Sequence, residues 1–359
     1  MEQFWIFLTF LSVVGLQRVT AFGTLWTEWW TYSGVSGPRY WGIHNPDWSI
    51  CNKGRYQSPI NIDPKILVHD PHMKHLNISQ YQIDGLFKNN GHDVSLLINN
   101  TNSKPFYITG GPLSYKYTLY EIKIHFGDHD SIGSEHSIGG KKFPLEIQLY
   151  GYNADINKNI SQALNAPHGI AALSILAQVT DHDNDYLDIL IRAAIKVRSK
   201  GMTTPVLNFF PKEFLPVTPS FVTYEGSLTR PGCMETVTWV ILNKPIHVSH
   251  SQLESLRSLT NHDNSGQSLM ENNFRITMPS HGRLIRTNIK SKVKVDDCYS
   301  MKLTSYEDST LQNGAVRRIK PERSGIDGST TLLKRVITLS SKEWYMIVNH
   351  SLLPHCVPN

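Results

Sequence analysis

The sequence predicts a mainly β domain of the α+β kind. Two observations lead there. Many short segments alternate apolar and polar residues, and turns rich in Gly and Pro separate them. Both agree with a β-rich domain without specifying which one. The stretch 120–153 organises the rest. Segments 121–126 and 145–152 alternate like strands, joined by a polar connection that carries Gly127, Gly133, Gly139 and Gly140. Residues two apart on a strand face the same way. Lys123 and His125 therefore share a face, and Gln148 can share one with Glu146 and Tyr150. Polar side chains converging from two strands are how a sheet builds a metal site, yet Lys, His and Gln are the wrong set for a metal.

The chain has 359 residues, enough for one large domain or two smaller ones with an ample core. Its net charge is +5 and its pI near 8.8. Lys and Arg are scattered with no basic run of about five or more, so nucleic-acid binding has no footprint. Residues 4–16 form an apolar run too short to span a bilayer. With the small residues at 19–21 they read as a secretory signal peptide, cut after Ala21. The leader is poor at its start, with Glu2 and no Lys or Arg; an uncleaved apolar anchor or a core helix is the alternative. No later apolar segment reaches about eighteen residues, so no transmembrane segment is expected, and no apolar C-terminal tail suggests a GPI anchor. N-x-Ser/Thr glycosylation acceptors at Asn77, Asn99, Asn159 and Asn349 agree with a secreted, extracellular chain. An even cysteine count (Cys51, Cys233, Cys298, Cys356) favours disulfides, and four cysteines allow three pairings.

Several motifs are specific enough to set beside a known family. They are Gln57-Ser58-Pro59-Ile60-Asn61-Ile62, Asn89-Asn90-Gly91-His92, Gly110-Gly111-Pro112-Leu113, Gly133-Ser134-Glu135-His136 and Tyr224-Glu225-Gly226-Ser227-Leu228-Thr229. Together they resemble the α-carbonic anhydrases, from about residue 24 to about 290. The resemblance implies the alpha-carbonic anhydrase fold, a central twisted, mostly antiparallel sheet of about ten strands with short peripheral helices. The organisation expected is a signal peptide at 1–21, a carbonic anhydrase-like domain at 22–290 and a tail at 291–359.

The family holds zinc with His-x-His on one strand and a third His on the next. Those positions fall on Lys123, His125 and Gln148, so only His125 survives. The pattern is closer to the secreted, non-catalytic carbonic anhydrase-related proteins, like vertebrate proteins X and XI, than to active members. The resemblance also places His92 at the proton shuttle, Glu146 behind the ligands, and Thr229 where it orients zinc hydroxide through Glu135. Trp239 lines the apolar pocket with Tyr150, Ala172 and Leu228, and Arg230 puts a long cation at the mouth. A Cys51–Cys233 bridge is implied by the same comparison. Cys298 and Cys356 lie beyond the domain. They could pair with each other, or one could form an intermolecular disulfide. The partner implied is an extracellular or cell-surface protein, neurexin-like by family example.

In chain order, residues 22–50 are rich in Trp (Trp26, Trp29, Trp30, Trp41, Trp48) and are expected to pack on the domain surface. The Gln57 motif is a Pro-fixed turn entering a strand. Residues 85–98 read as a turn and strand, with His92 partly exposed in the turn. The Gly110 turn leads into the strand of Lys123, and 169–178 is a buried strand. Residues 184–197 and 251–262 show apolar positions at helical spacing and predict helices. Asn273-Phe274-Arg275 resembles the family's closing segment, with Ile276-Thr277-Met278 inserted before the expected Pro. The tail has weak apolar alternation at 332–339 and 343–348 and is expected to be largely flexible with a little strand.

Zinc makes a nucleophile by lowering the pKa of bound water to about 7. A lysine ordinarily gives up its proton only near about pH 10.4, and an amide oxygen is a poor zinc ligand. Asp128, His129 and His136 sit at the wrong spacing to substitute. Tyr150 stands where the family keeps a small Val and would fill the pocket; Ala172 moves the opposite way. The expectation is a pseudoenzyme with no cofactor, its Glu135 and Thr229 kept as a buried hydrogen-bond pair, and Lys123 paired with Glu135 or Glu146. The alternative is a zinc-dependent carbonate dehydratase or other hydrolytic enzyme with an altered metal site.

Overall fold

A computed structural model describes residues 29–100, 104–262 and 268–290. The expected signal peptide, Trp26, the tail, Asn349, Cys298 and Cys356 lie outside the described residues. In chain order the strands are β1 (Asn61–Ile62), β2 (Val68–His69), β3 (Leu76–Ile78), β4 (Ile83–Asn89), β5 (Val94–Ile98), β6 (Tyr107–Gly110), β7 (Leu113–Phe126) and β8 (Ser137–Ile138). There follow β9 (Leu145–Asn153), β10 (Ile170–Thr180), β11 (Thr203–Phe209), β12 (Phe221–Gly226), β13 (Val237–Leu242), β14 (Ile246–Ser249) and β15 (Arg286–Thr287).

Thirteen of these form one sheet, in the order β11-β4-β5-β7-β9-β10-β13-β12-β15-β2. The main path holds the ten strands expected; β14 joins it at β10, and β3 attaches through β6 to β7. Pairing is mostly antiparallel, with parallel pairs at β10–β13, β10–β14 and β15–β2. The segment β7 is buried from Tyr117 to Phe126, and β9 almost throughout. Alternation then sorts its side chains. Ile122, Ile124 and Phe126 enter the larger apolar core with Leu145, Ile147 and Leu149. Glu121, Lys123 and His125 point to the other face, beside the second cluster that holds Tyr150 and Trp239.

Both predicted helices form, shorter than their apolar spacing suggested. One spans Asp188–Lys196 and the other His250–Arg257. The first starts late because Asn184 ties the preceding residues into a turn, its Oδ1 accepting from the Tyr186 and Leu187 amides. The second opens on a capping box, Ser249 with Gln252. It stops at Arg257 because Thr260 leaves to bridge Leu269.

The N-terminal aromatics pack as expected. Trp30 and Trp41 are buried in a small cluster with Tyr32, Trp48 and the Cys51–Cys233 disulfide, the pairing that the family resemblance implied.

Candidate functional site

The register of β7 against β9 builds the centre of the site, setting Lys123 opposite Gln148 and His125 opposite Glu146. All four are buried. A buried ammonium needs a counter-charge, and the structure corrects the partner expected. Lys123 pairs with Asp93, with Glu121 Oε1 at 3.8 Å, and not with Glu135 or Glu146. The reason is register. β5 pairs Ser95 with Lys123, so Asp93, two residues before Ser95, lies on the same face as Lys123, within reach across the strands. Arg230, at the mouth, gives its Nη1 to Glu121 Oε2 at 3.0 Å. Two cations and two carboxylates thus neutralise one another. Burial works to raise the Asp93 carboxyl, but Lys123, then His125, hold it well below its ordinary value. Burial opposes the charge of Glu121 in the same way, and Lys123 and Arg230 overcome it. Tyr32 closes the group by donating to Asp93 Oδ1 at 2.8 Å.

Gln148 sits in the middle, with both amide hydrogens and its oxygen engaged. Its Nε2 donates to Glu135 Oε2 at 2.9 Å and to Glu146 Oε1 at 2.8 Å. Its Oε1 accepts from the Tyr150 hydroxyl at 2.7 Å and meets His125 Nε2 at 3.1 Å. His125 Nδ1 donates to the Asn273 carbonyl at 2.7 Å. Glu146 accepts from the His136 backbone N–H, and from His136 Nδ1 and Ser174 Oγ at 2.8 Å each. Burial would raise Glu146, but His136 and these hydrogen bonds bring its pKa down to about 2.

Glu135 and Thr229 do not pair as expected. Glu135 spends its second oxygen on the Arg275 backbone N–H at 2.9 Å. Tyr150 lies close to both Glu135 and Thr229, with its hydroxyl given to Gln148 Oε1. Burial, with Glu135 nearby, pushes that hydroxyl's pKa well up and keeps it a donor. Its ring fills the apolar wall, meeting Trp239 edge-to-face at 5.8 Å. Ala172 lies opposite Tyr150 on one side and opposite Trp239 on the other, so its short side chain leaves room for their contact. Leu228 is buried in the same cluster. His92 is half-buried and stacks on Trp30 at 4.0 Å between ring centres. Asn77, Asn99 and Asn159 are exposed; Asn159 caps a short helix, its Oδ1 accepting from Gln162 N.

Sequence reasoning missed four residues of the site. Glu121 was legible, because strict alternation puts it on the face of Lys123 and His125. Asp93 needs the β5–β7 register, which no local pattern carries. Asn273 and Arg275 needed the knowledge that the closing segment passes beneath β7. There Asn273 bonds Phe126 N and Ile124 O, and the buried Arg275 guanidinium bonds Gln57, Ser58 and Cys51.

These residues do not fit zinc. A paired ammonium has no lone pair to offer, and the Gln148 amide oxygen, a poor zinc ligand, already accepts from the Tyr150 hydroxyl and is faced by His125 Nε2. Among the described residues no group of three His, Cys, Asp or Glu could hold a metal ion, and no helix is long and apolar enough to cross a membrane.

The Gly133–His136 turn and the strand positions of Lys123, His125 and Gln148 are those that the family resemblance implied. A profile of the eukaryotic-type carbonic anhydrases matches residues 36–289, and the chain belongs to that family. It is 40% identical to carbonic anhydrase-like protein 2 of Caenorhabditis elegans over 264 residues, covering 72% of this chain and 78% of the relative. It is 33% identical to carbonic anhydrase-like protein 1 of the same organism over 331 aligned residues, covering 74% and 91%.

Proposed function

We propose that this chain is a secreted carbonic anhydrase-related protein that lacks CO₂ hydratase activity and works as a binding domain. The observation that carries the reading is the engaged Gln148 side chain, its amide given to Glu135 and Glu146 and its oxygen held by the Tyr150 hydroxyl where a metal would need an open ligand. The Lys123–Asp93 pair supports it by neutralising the centre without a divalent ion. The likeness to proteins named carbonic anhydrase-like is consistent with this. The partner we propose is an extracellular or cell-surface protein, neurexin-like by family resemblance. Export rests on the apolar leader and the glycosylation acceptors of the sequence.

The test is zinc content and CO₂ hydration of the secreted protein after exchange into metal-free buffer. The expected result is well under about one zinc per chain and hydration at the buffer rate. Near one zinc per chain with hydration above buffer overturns the reading. Binding to an immobilised neurexin ectodomain tests the partner separately, since its failure leaves the non-catalytic reading in place.

A further inference from the structure

Lys123 and Asp93 meet inside the domain, one from β7 and the other from the residue just before β5, with Lys123 Nζ in contact with Asp93 Oδ2. Both side chains are buried, so no water shell separates the amine from the carboxyl group. Two further groups are aimed at the same pair. Tyr32 donates its hydroxyl to the other carboxyl oxygen, Asp93 Oδ1, at 2.8 Å. Glu121, two residues before Lys123 on the same strand face, holds its Oε1 3.8 Å from Lys123 Nζ, while Arg230 fixes its Oε2 at 3.0 Å. An amine against a carboxyl group, a second carboxylate to carry protons and a donor on the carboxyl oxygen are the parts that an amide condensation needs.

We propose that Lys123 and Asp93 condense after folding to an isopeptide bond, Nζ to Cγ, which ties β7 covalently to the start of β5. The ion pair is the starting state. Glu121 Oε1 carries one proton from Nζ to Oδ2, leaving a neutral amine beside a carboxylic acid. The Nζ lone pair attacks Cγ, and the carbonyl electrons move onto Oδ1, where the Tyr32 hydroxyl donates. Glu121 then carries a second proton from Nζ to Oδ2. The carbonyl re-forms, the Cγ–Oδ2 bond breaks and water departs. One C–N bond replaces one C–O bond, the two protons and Oδ2 leave together as water, and Glu121 ends as the carboxylate it began. Nothing is oxidised or reduced.

Two physical effects drive the step. A buried ion pair carries a desolvation cost that a neutral amide does not. Of the charges at the centre only Glu121 and Arg230 then remain, and they already pair with each other. Holding amine and carboxyl group in contact also supplies an effective concentration of about 10⁵ M or more for well-oriented groups, which offsets the reluctance of a carboxylate to react. The bond closes a loop between positions 93 and 123 inside the sheet. It forms whatever the domain binds, so it is independent of the partner and of export.

The test is peptide mapping of the purified full-length chain after reduction, deglycosylation and trypsin. In the parent, the peptides that begin at Asn89 and Tyr117 are expected as one branched species, uncut after Lys123 and lighter by one water than the two together. Lys123→Arg keeps a cation but offers no amine, and is expected to give the two peptides separately. Glu121→Gln is expected to accumulate the branched species at least about tenfold more slowly than the parent. Recovery of the two peptides separate and unmodified from the parent, with trypsin cutting after Lys123, overturns the proposal and leaves an ion pair. The parent digest decides this by itself, so the result does not wait on a variant that folds. A Glu121→Gln chain that links as fast as the parent overturns the proton transfers assigned to Glu121.

Discussion

Lys123 carries a charge to a position from which it cannot reach water, and Asp93 is the group that makes this tolerable. Removing one partner of a buried pair leaves the other unpaired. Asp93→Asn should therefore cost about 3–5 kcal/mol of stability, and Asp93→Asn with Lys123→Met should recover much of it. Urea denaturation of the two variants checks this; a single-variant loss under about 1 kcal/mol would contradict the pairing. Glu146 sets a pH dependence. Its pKa falls from an ordinary 4.5 to about 2 on folding. A depressed carboxyl contributes its full stability above the unfolded value and loses it as pH falls through the folded one. That contribution is about 3 kcal/mol, so the thermal midpoint should hold above about pH 5 and drop progressively toward pH 2. Glu146→Gln should flatten that slope, and an unchanged slope would remove Glu146 as its source. The charge of Lys123 and the poor chemistry of Gln148 were legible from residue type alone. Their partners were not, because a partner is chosen by geometry across strands.

At the scale of elements, the turn between β7 and β9 places Glu135 and His136 under the site. It depends on Gly133, whose φ is +149°, and a Cβ there would lie 1.9 Å from the Pro144 carbonyl oxygen. Gly133→Ala is expected to cost more than about 2 kcal/mol and to disturb the bonds of Glu135, measurable as lost urea stability and faster exchange of the Arg275 amide. The alternation of 121–126 and 145–152 was enough to predict both strands. It said nothing of β5 as a neighbour, or of the closing segment that carries Asn273 and Arg275. Helix ends moved inward for a similar reason: apolar spacing continues past Asn184 and Arg257, and side-chain hydrogen bonds and a bridge decide where the helix stops.

The whole molecule joins its N-terminal aromatic segment to the connection between β12 and β13 through the Cys51–Cys233 bridge, 182 residues apart in sequence. Closing so long a loop is worth roughly 5 kcal/mol by chain entropy, usually less in practice. The Cys51→Ser, Cys233→Ser double variant should lose about 2–5 kcal/mol and unfold at lower temperature, with a calorimetric scan as the check. By itself the sequence determined the β-rich class, the family through its motifs, and the residue types Lys123, His125 and Gln148 on two strands, because each is written in local residue type and spacing. The tertiary structure alone decided that Asp93 pairs with Lys123, that Glu135 is held by Gln148 and the Arg275 amide, and that Arg275 is buried. Those outcomes depend on strand register and on the packing of segments more than a hundred residues apart, such as Glu135 and Arg275. No local pattern encodes that arrangement.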